Sequence, residues 1–479
     1  MHQMKKLLIK LLAASLLFTA YSAHSQYQID IQIEEVADSA DLFLGYYFAG
    51  KTYVRDTATF NEERGYAFSG DDSLDKGMYF LAQNGSLLFD LVVGDDQFFT
   101  LKTNSQDYVD FMEVEGDEEN SLFFDNMHFN RKRNEEATPL VEILRDSTSS
   151  SEAKADAQGK FEEINARVED YVEMVLNDHP GSILAAILGA NKRLGIPEEE
   201  AAKIDMNDKK ARFAYFRDHY WDNIDLGNAA LIRLSSPIYK QKVDDYMDNL
   251  VYPAPDSVKK AVDQLVKAAR KDADTYQYLV WHLTIKYQTS KIMGLDEVYV
   301  HLVDNYFLTG EMDFWANDQL KKNLKEKADQ YRSSLVGMVA PNLVLQDLNK
   351  QPKALHDLPN KYSVIYFYDP DCGHCKKETP VLKAFFDSTS FDVGVFTVSA
   401  DTSMTKMGDY IQEMGLQDWT NTNGTKTYGL NYQEVYDAYT TPTIYVLNDK
   451  KEIIAKKLTA SQIEGLLANY EGKDKKETN

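Results

Sequence analysis

The sequence predicts a multidomain chain: an all-β N-terminal domain, an all-α central domain and a C-terminal α/β domain. Three observations lead there. Apolar residues alternate with period two from about residue 26 to 128. They then recur at three- and four-residue steps from 129 to 334. From 335 to 472, strand-like and helix-like runs take turns, the pattern of a mostly parallel, helix-covered sheet. A length of 479 residues suits two or three domains of about 150 residues each. Hydrophobic content of 43% and aromatic content of 12% supply cores for them. The net charge of −24 argues against nucleic acid or an anionic membrane surface as the main partner.

Residues 1–25 read as a secretory signal. Lys5, Lys6 and Lys10 precede an apolar run from Leu11 to Ala20, and Ala23-His24-Ser25 supplies the small-residue cleavage signature before Gln26. The run is well short of the roughly 20 apolar residues that span a bilayer. No Cys lies near the cleavage point and no later run is apolar enough to span. The mature chain is therefore expected without stable membrane insertion.

Residues 26–128 form the β-rich, sandwich-like domain. "YQIDIQIEEV" alternates through Ile29, Ile31 and Ile33, and "DLFLGYYFAGKTYVRDTATF" is rich in aromatic and β-branched residues. Asn84-Gly85 and Gly94-Asp95 read as hairpin turns between further strands, which points to an antiparallel sandwich or barrel. This stretch holds 22 acidic and 5 basic residues, most of the negative charge of the chain. "GDDSLDKG" (70–77) invites a calcium reading, but its glycine falls one place late and Ala82 stands where the bidentate Glu belongs, so a solvated turn is preferred.

Residues 129–334 form the helical domain. "EINARVEDYVEMVLNDH" and "FWANDQLKKNLKEKADQYRSS" carry helical apolar spacing, and His179-Pro180-Gly181, Gly195-Ile196-Pro197 and Tyr252-Pro253-Ala254-Pro255 break the stretch into roughly eight helices. His179, His219, His282 and His301 are scattered without i,i+4 pairing, so no metal site is expected among them.

In residues 335–472, "KYSVIYFY" is a buried strand, "CKKETPVLKAFFDS" a helix that starts at the cysteines, and "FDVGVFTVSA" a second strand. "MTKMGDYIQEMG" reads as a helix, "TPTIYVLN" as a strand, "KEIIAKKL" as an edge strand and "SQIEGLLANYE" as a closing helix. The tail 473–479 is expected to fray.

Cys372 and Cys375 are the only two cysteines, three positions apart at the start of a helix. Unpaired N–H groups and the positive end of the helix dipole stabilise a thiolate there. Cys372 is thus expected to be the exposed nucleophile of depressed pKa, and Cys375, one turn in, the shielded resolving thiol. His374 between them can carry positive charge or donate to the Cys372 thiolate; either favours the reduced form. Half of a zinc site is the competing reading, but structural zinc takes four ligands and no second pair exists. An inert disulfide closing so small a ring removes little chain entropy. A reversible redox pair fits best.

With these residues in view, the segment from Val336 to Glu471 resembles thioredoxin-fold proteins, and within them the exported TlpA/ResA-type thiol-disulfide oxidoreductases. "VGMVAPNLVL" resembles their Gly-x-x-Ala-Pro opening, and "VIYFYDPDCGHCKKETP" their strand, Cys-x-x-Cys and Lys-Lys-Glu-x-Pro continuation. "VYDAYTTPTIYVLNDKKEI" resembles the segment that carries their cis-proline. The resemblance implies that Cys372 attacks and Cys375 resolves. It implies that Pro442 is cis beside the pair and that the Thr441 backbone binds an extended client peptide. It also implies that Glu378 assists proton transfer at the buried thiol, against the plainer reading of a helix-surface Glu. Pro380 fits the family's helix kink.

The sequence also departs from the pattern. Tyr366 stands where thioredoxins carry a buried Asp, and Asp371 replaces the usual Trp before the pair. A carboxylate there should raise the Cys372 pKa and oppose His374. The Gly373-His374 dipeptide is that of disulfide isomerases, whereas the continuation is that of reductants, so both directions stay open.

The expectation is an exported enzyme, in the periplasm or cell envelope of a gram-negative bacterium, that exchanges disulfides with protein clients as reductant or isomerase. Its electrons would reside on the sulfurs, with no metal or organic cofactor, and a membrane thiol carrier would recharge it. The rival is an envelope ligand-binding or sensing protein with a redox-gated thioredoxin-like module. A peroxidase is less well matched, since Asp369 stands where a Thr three residues before Cys372 would be required.

Overall fold

The structure is a computed structural model that describes residues 25–34 and 40–477. The expected signal segment, apart from Ser25, lies outside the described residues. The chain divides into two compact units, one of residues up to 246 with 268–276, the other of 247–267 with 277 onward. The helical stretch is thus shared between units instead of forming a body of its own.

In the first unit, β1 (Tyr27–Glu34), β2 (Leu42–Phe48), β3 (Lys51–Ala58), β4 (Phe60–Asn61), β5 (Gly65–Gly70), β6 (Gly77–Gln83), β7 (Ser86–Val93), β8 (Phe98–Asn104) and β9 (Glu113–Glu115) build two sheets. Their orders are β4-β5-β1-β8-β9 and β3-β2-β6-β7. Asn84 and Gly85 take the left-handed turn expected of them, joining β6 to β7. Gly94-Asp95 makes no hairpin, because β7 and β8 lie in different sheets and the turn is a crossing between them. Nor is the domain wholly antiparallel: β1 pairs parallel with β8, setting Ile29 beside Phe99 and Ile31 beside Leu101. All four side chains are buried, so burial fixes this register over a long intervening path. The acidic turn at 70–77 is held by buried Gln97, whose amide accepts from Leu74 N (2.8 Å) and donates to Leu74 O (2.8 Å).

The β region ends earlier than the predicted switch at 129. Helix α1 (Glu118–Arg145) is capped by Asp117, whose carboxylate accepts from Asn120 N at 2.7 Å. Asn120 is wholly buried and bonds both backbone groups of Val92, at 2.9 and 2.7 Å. A polar Asn thus closes a strand edge, a pairing that apolar periodicity does not register. Helix α2 (Ser151–Asp178) packs along α1, with Phe129 stacked on Tyr171 at 4.1 Å. Helices α3 (Ile183–Asn191) and α4 (Lys209–His219) follow.

Helices α5 (Ile238–Asn249), α6 (Pro255–Ala269) and α7 (Ala273–Gln288) pass between the two sets of residues. The second unit adds α8 (Asp296–Leu302), which runs into a π turn at Val303–Phe307, and α9 (Asp318–Ser333). It continues with a seven-stranded sheet of β10 (Val344–Gln346), β11 (Pro352–Ala354), β12 (Tyr362–Tyr368), β13 (Val393–Ser399), β14 (Thr420–Thr427), β15 (Thr443–Leu447) and β16 (Ile453–Lys456), in the order β11-β10-β14-β13-β12-β15-β16. Strands β12, β13 and β14 are parallel, and β15 and β16 antiparallel. Helices α10 (Gly373–Ser388), α11 (Met404–Met414) and α12 (Ile463–Glu477) complete it. The last helix runs beyond the predicted end at 472, so residues read as a frayed tail are helical as far as Glu477; Lys and Glu there are good helix formers.

All seven residues of β12 are buried. Tyr362, Val364, Tyr366 and Tyr368 share one core with α10, α11 and α12, while Ile365 and Phe367 share another with Leu345, Tyr432 and Tyr436. Successive side chains leave opposite faces of a strand, so a sheet covered on both sides needs an unbroken apolar run, as "SVIYFY" supplies.

Candidate active site

The site lies where β12 ends and α10 begins. Asp369 accepts from Asp371 N through its carboxylate (2.7 Å) and from Cys372 N through its carbonyl (3.1 Å), turning the chain out of the strand. Cys372 is the N-cap of α10, and its Sγ accepts from Cys375 N at 3.5 Å. The sequence-predicted nucleophile thus occupies the place where helix N–H groups are free to bind a negative charge. Its thiol donates to Thr441 O at 3.4 Å. The Thr441–Pro442 peptide is cis, as the resemblance implied.

The two thiols are free and differ in environment. Cys372 is half-buried; Cys375 is wholly buried in the core with Tyr366, Tyr368 and Tyr410. Burial opposes the Cys372 thiolate, but hydrogen bonds from Cys375, the Thr441 side chain and the His374 N–H outweigh it and hold the thiol below its ordinary value. Burial pushes the Cys375 thiol up to about 12, and the adjoining Cys372 adds to the rise. One sulfur is prepared to be a thiolate and the other to keep its proton.

His374 is exposed, and its backbone N–H acts on Cys372. Asp371 is also exposed and is neutralised from outside the motif: Lys406 of α11 approaches it to 2.6 Å and Asp401 to 3.3 Å. Asp369, Asp371 and Asp401 form the one grouping of potential metal ligands among the described residues. The Lys406 ammonium sits against two of the three. Glu378 is half-buried, and its carboxylate accepts from Ala460 N, capping the turn before α12. The geometry therefore gives Glu378 a structural partner besides any part in proton transfer. Sequence reading missed Thr379 and Tyr410. Tyr366 OH and Tyr410 OH each meet Thr379 Oγ1 at 2.7 Å, a buried hydroxyl chain beside Cys375. The departure at Tyr366 was the available signal, but its partners lie 13 positions on and 31 beyond that.

A parallel-centred sheet, a cysteine pair at the N-terminus of the helix after β12 and a cis-proline facing it define a thioredoxin-like domain. Comparison with known proteins agrees: residues 336–457 match the AhpC/TSA family, and residues 199–330 match a family described as a domain of unknown function, DUF5106. The thiol-disulfide oxidoreductase ResA of Bacillus subtilis is 27% identical over 144 residues, 28% of this chain and 73% of that protein. Among solved structures, a domain of a possible thiol-disulfide isomerase from Cytophaga hutchinsonii is 29% identical, covering 30% of this chain and 97% of that one at a TM-score of 0.28. A thioredoxin-like protein from Bacteroides caccae is 19% identical, covering 58% of this chain and 98% of that one at a TM-score of 0.46. The C-terminal part of this chain is a thioredoxin-like domain, similar to those of thiol-disulfide oxidoreductases.

Proposed function

We propose that the chain is an exported thiol-disulfide oxidoreductase that acts on protein clients in the periplasm or envelope, as reductant or isomerase. The observation that carries this reading is the contrast between the sulfurs: Cys372 is a helix cap of lowered pKa, and Cys375 is a buried thiol of raised pKa directly behind it. The Cys372 thiolate attacks one sulfur of a client disulfide; that S–S bond breaks and the departing client thiolate takes up a proton. Cys375 then gives up its proton and attacks Cys372 Sγ in the mixed disulfide, releasing the second client thiol. Two electrons pass from the dithiol to the client, and Cys372–Cys375 ends as the disulfide. In isomerisation a client thiol performs the second attack instead.

The electrons reside on sulfur throughout, so the reaction requires no further cofactor. A reductase outside the cytoplasm must be recharged, and a membrane thiol carrier fits that need. Export rests on the charged, apolar, small-residue order of residues 1–25. Among the described residues no helix is long and apolar enough to cross a membrane.

The test is the reduction potential of the pair, measured by equilibrating the protein in glutathione buffers and trapping free thiols. A value near about −270 mV marks a dedicated reductant, and one near or above about −180 mV an isomerase or oxidant. A pair that never closes under oxidising buffer would sink the proposal.

A further inference from the structure

The loop that presents Thr441–Pro442 is nearly devoid of regular structure. One helical turn at Tyr432–Val435 is followed by an irregular run to β15. Its tip is exposed, Tyr439 at 64%. Its back is fixed from within the second unit by a helix outside the thioredoxin-like segment. The Gln330 side chain of α9 is buried, 5% exposed, and its amide donates to the carbonyls of Gln433 and, at 3.2 Å, Tyr436. Lys327, one turn earlier, pairs with Asp437 at 3.1 Å and lies over the Tyr439 ring at 5.2 Å. Asp437 also pairs with Lys457, and its N–H donates to Tyr445 OH at 3.1 Å. Burial opposes the charge on Asp437, but the two lysines outweigh it and hold the carboxyl below its usual range. The same helical stretch is anchored on β16: Lys456, 2% exposed, pairs with Asp296 of α8 and donates to Ser334 O at 2.7 Å.

A loop with so few internal bonds keeps a fixed shape only if something outside it supplies them. Here Gln330 is buried and directional, Lys327 and Lys457 are charged, and they converge between residues 433 and 439, immediately before the carbonyl that meets Cys372. We propose that α9, through Gln330 and Lys327, is the positioning element of the client-binding edge at Thr441–Pro442. The redox machinery then starts inside the helical region. The end of the segment matched as a domain of unknown function holds the surface on which an extended client chain pairs beside Cys372. Neither residue touches the reacting sulfurs, so both act through the loop. The inference rests on the reading that Thr441 binds a protein client.

The experiment uses the full chain with Gln330→Leu, Lys327→Met and Lys327→Arg. Reduction of insulin reports on a protein client, and reduction of dithionitrobenzoate reports on Cys372 reactivity with a small disulfide that needs no loop. Gln330→Leu and Lys327→Met should raise KM for insulin about five- to tenfold with kcat within about twofold, the signature of lost uniform binding. The dithionitrobenzoate rate should stay within about twofold, and Lys327→Arg should restore KM, because the charge is what it returns. Amides of residues 436–441 should exchange with deuterium about tenfold faster in both disruptive variants. If Gln330→Leu does not fold, Lys327→Met alone decides, since that side chain is partly exposed. A folded variant with parental KM and parental amide exchange overturns the inference. If the parent chain fails to reduce insulin at all, the proposed function fails, and amide exchange still decides whether α9 positions the loop.

Discussion

Strand β1 of the N-terminal sheets buries Tyr27, Ile29 and Ile31 and leaves the residues between them partly exposed, whereas β12 buries all seven of its residues. Outward strand positions in the N-terminal sheets carry charged residues in ion pairs, such as Asp30 with Arg64 and Glu115 with Lys102. The C-terminal sheet has no solvated face at its centre to carry such groups. Its cysteine pair sits at the end of β12, where the chain leaves the sheet and helix N–H groups come free. The contrast teaches that coverage decides where function can sit. A sheet open on one side offers a broad charged surface, and a sheet covered on both sides offers only its strand ends.

Four predictions bear on this comparison. The largest effect falls at the strand end: Cys372→Ser should abolish insulin reduction, and Cys375→Ser should trap a mixed disulfide visible on non-reducing gels. Activity surviving in Cys372→Ser would move the function away from that end. Next comes the buried anchor of the same unit. Lys456→Met leaves Asp296 unpaired and should cost about 3–5 kcal/mol in denaturant unfolding, most of it recovered in Lys456→Met/Asp296→Leu. A loss as large in the double variant would show that the cost does not come from leaving the Asp296 carboxylate unpaired.

Doubly covered and singly covered strands can then be compared directly. Ile365→Ala at the centre of β12 should cost about 2–5 kcal/mol. Val54→Ala on the exposed strand β3 should stay within about 0.5 kcal/mol. Equal costs would remove the distinction.

The last effect is the pH dependence of the dithiol. Alkylation of Cys372 by iodoacetamide should reach half its maximal rate below pH of about 8.5, the free-thiol value. Because the Cys372 pKa is lowered on folding, its contribution to stability is present above the unfolded value and is lost as pH falls through the folded one. Cys375 has the opposite sign. Held up to about 12, it keeps its proton while the unfolded chain releases one, so reduced protein should lose stability as pH rises from the ordinary thiol range towards 12. Cys375→Ser should flatten that slope in unfolding titrations.

Several features were legible in the residues alone. "SVIYFY" reads as a strand buried on both faces, and a Cys-x-x-Cys directly after it places a thiol at a helix N-terminus. These are local signals of period, residue type and cap, read within one element. Others were silent. Strand β14 is "TNTNGTKT", with no apolar residue, and is a strand because Thr422 and Asn423 are buried beside β13. The charge on Asp371 is answered by Lys406, 35 positions away, and Glu378 is engaged by Ala460, 82 positions away. The parallel pairing of β1 with β8, the closure of a strand edge by Asn120 and the grip of α9 on the loop before Pro442 are of the same kind. Which residues must be buried, and which thiol would meet free N–H groups, followed from the order of residues alone, because both depend on neighbours along the chain. Which charges cancel, and what holds the loop before Pro442, came only with the folded arrangement. Those depend on the path by which distant segments meet, and a polar side chain carries no sign of its partner until the fold brings the two together.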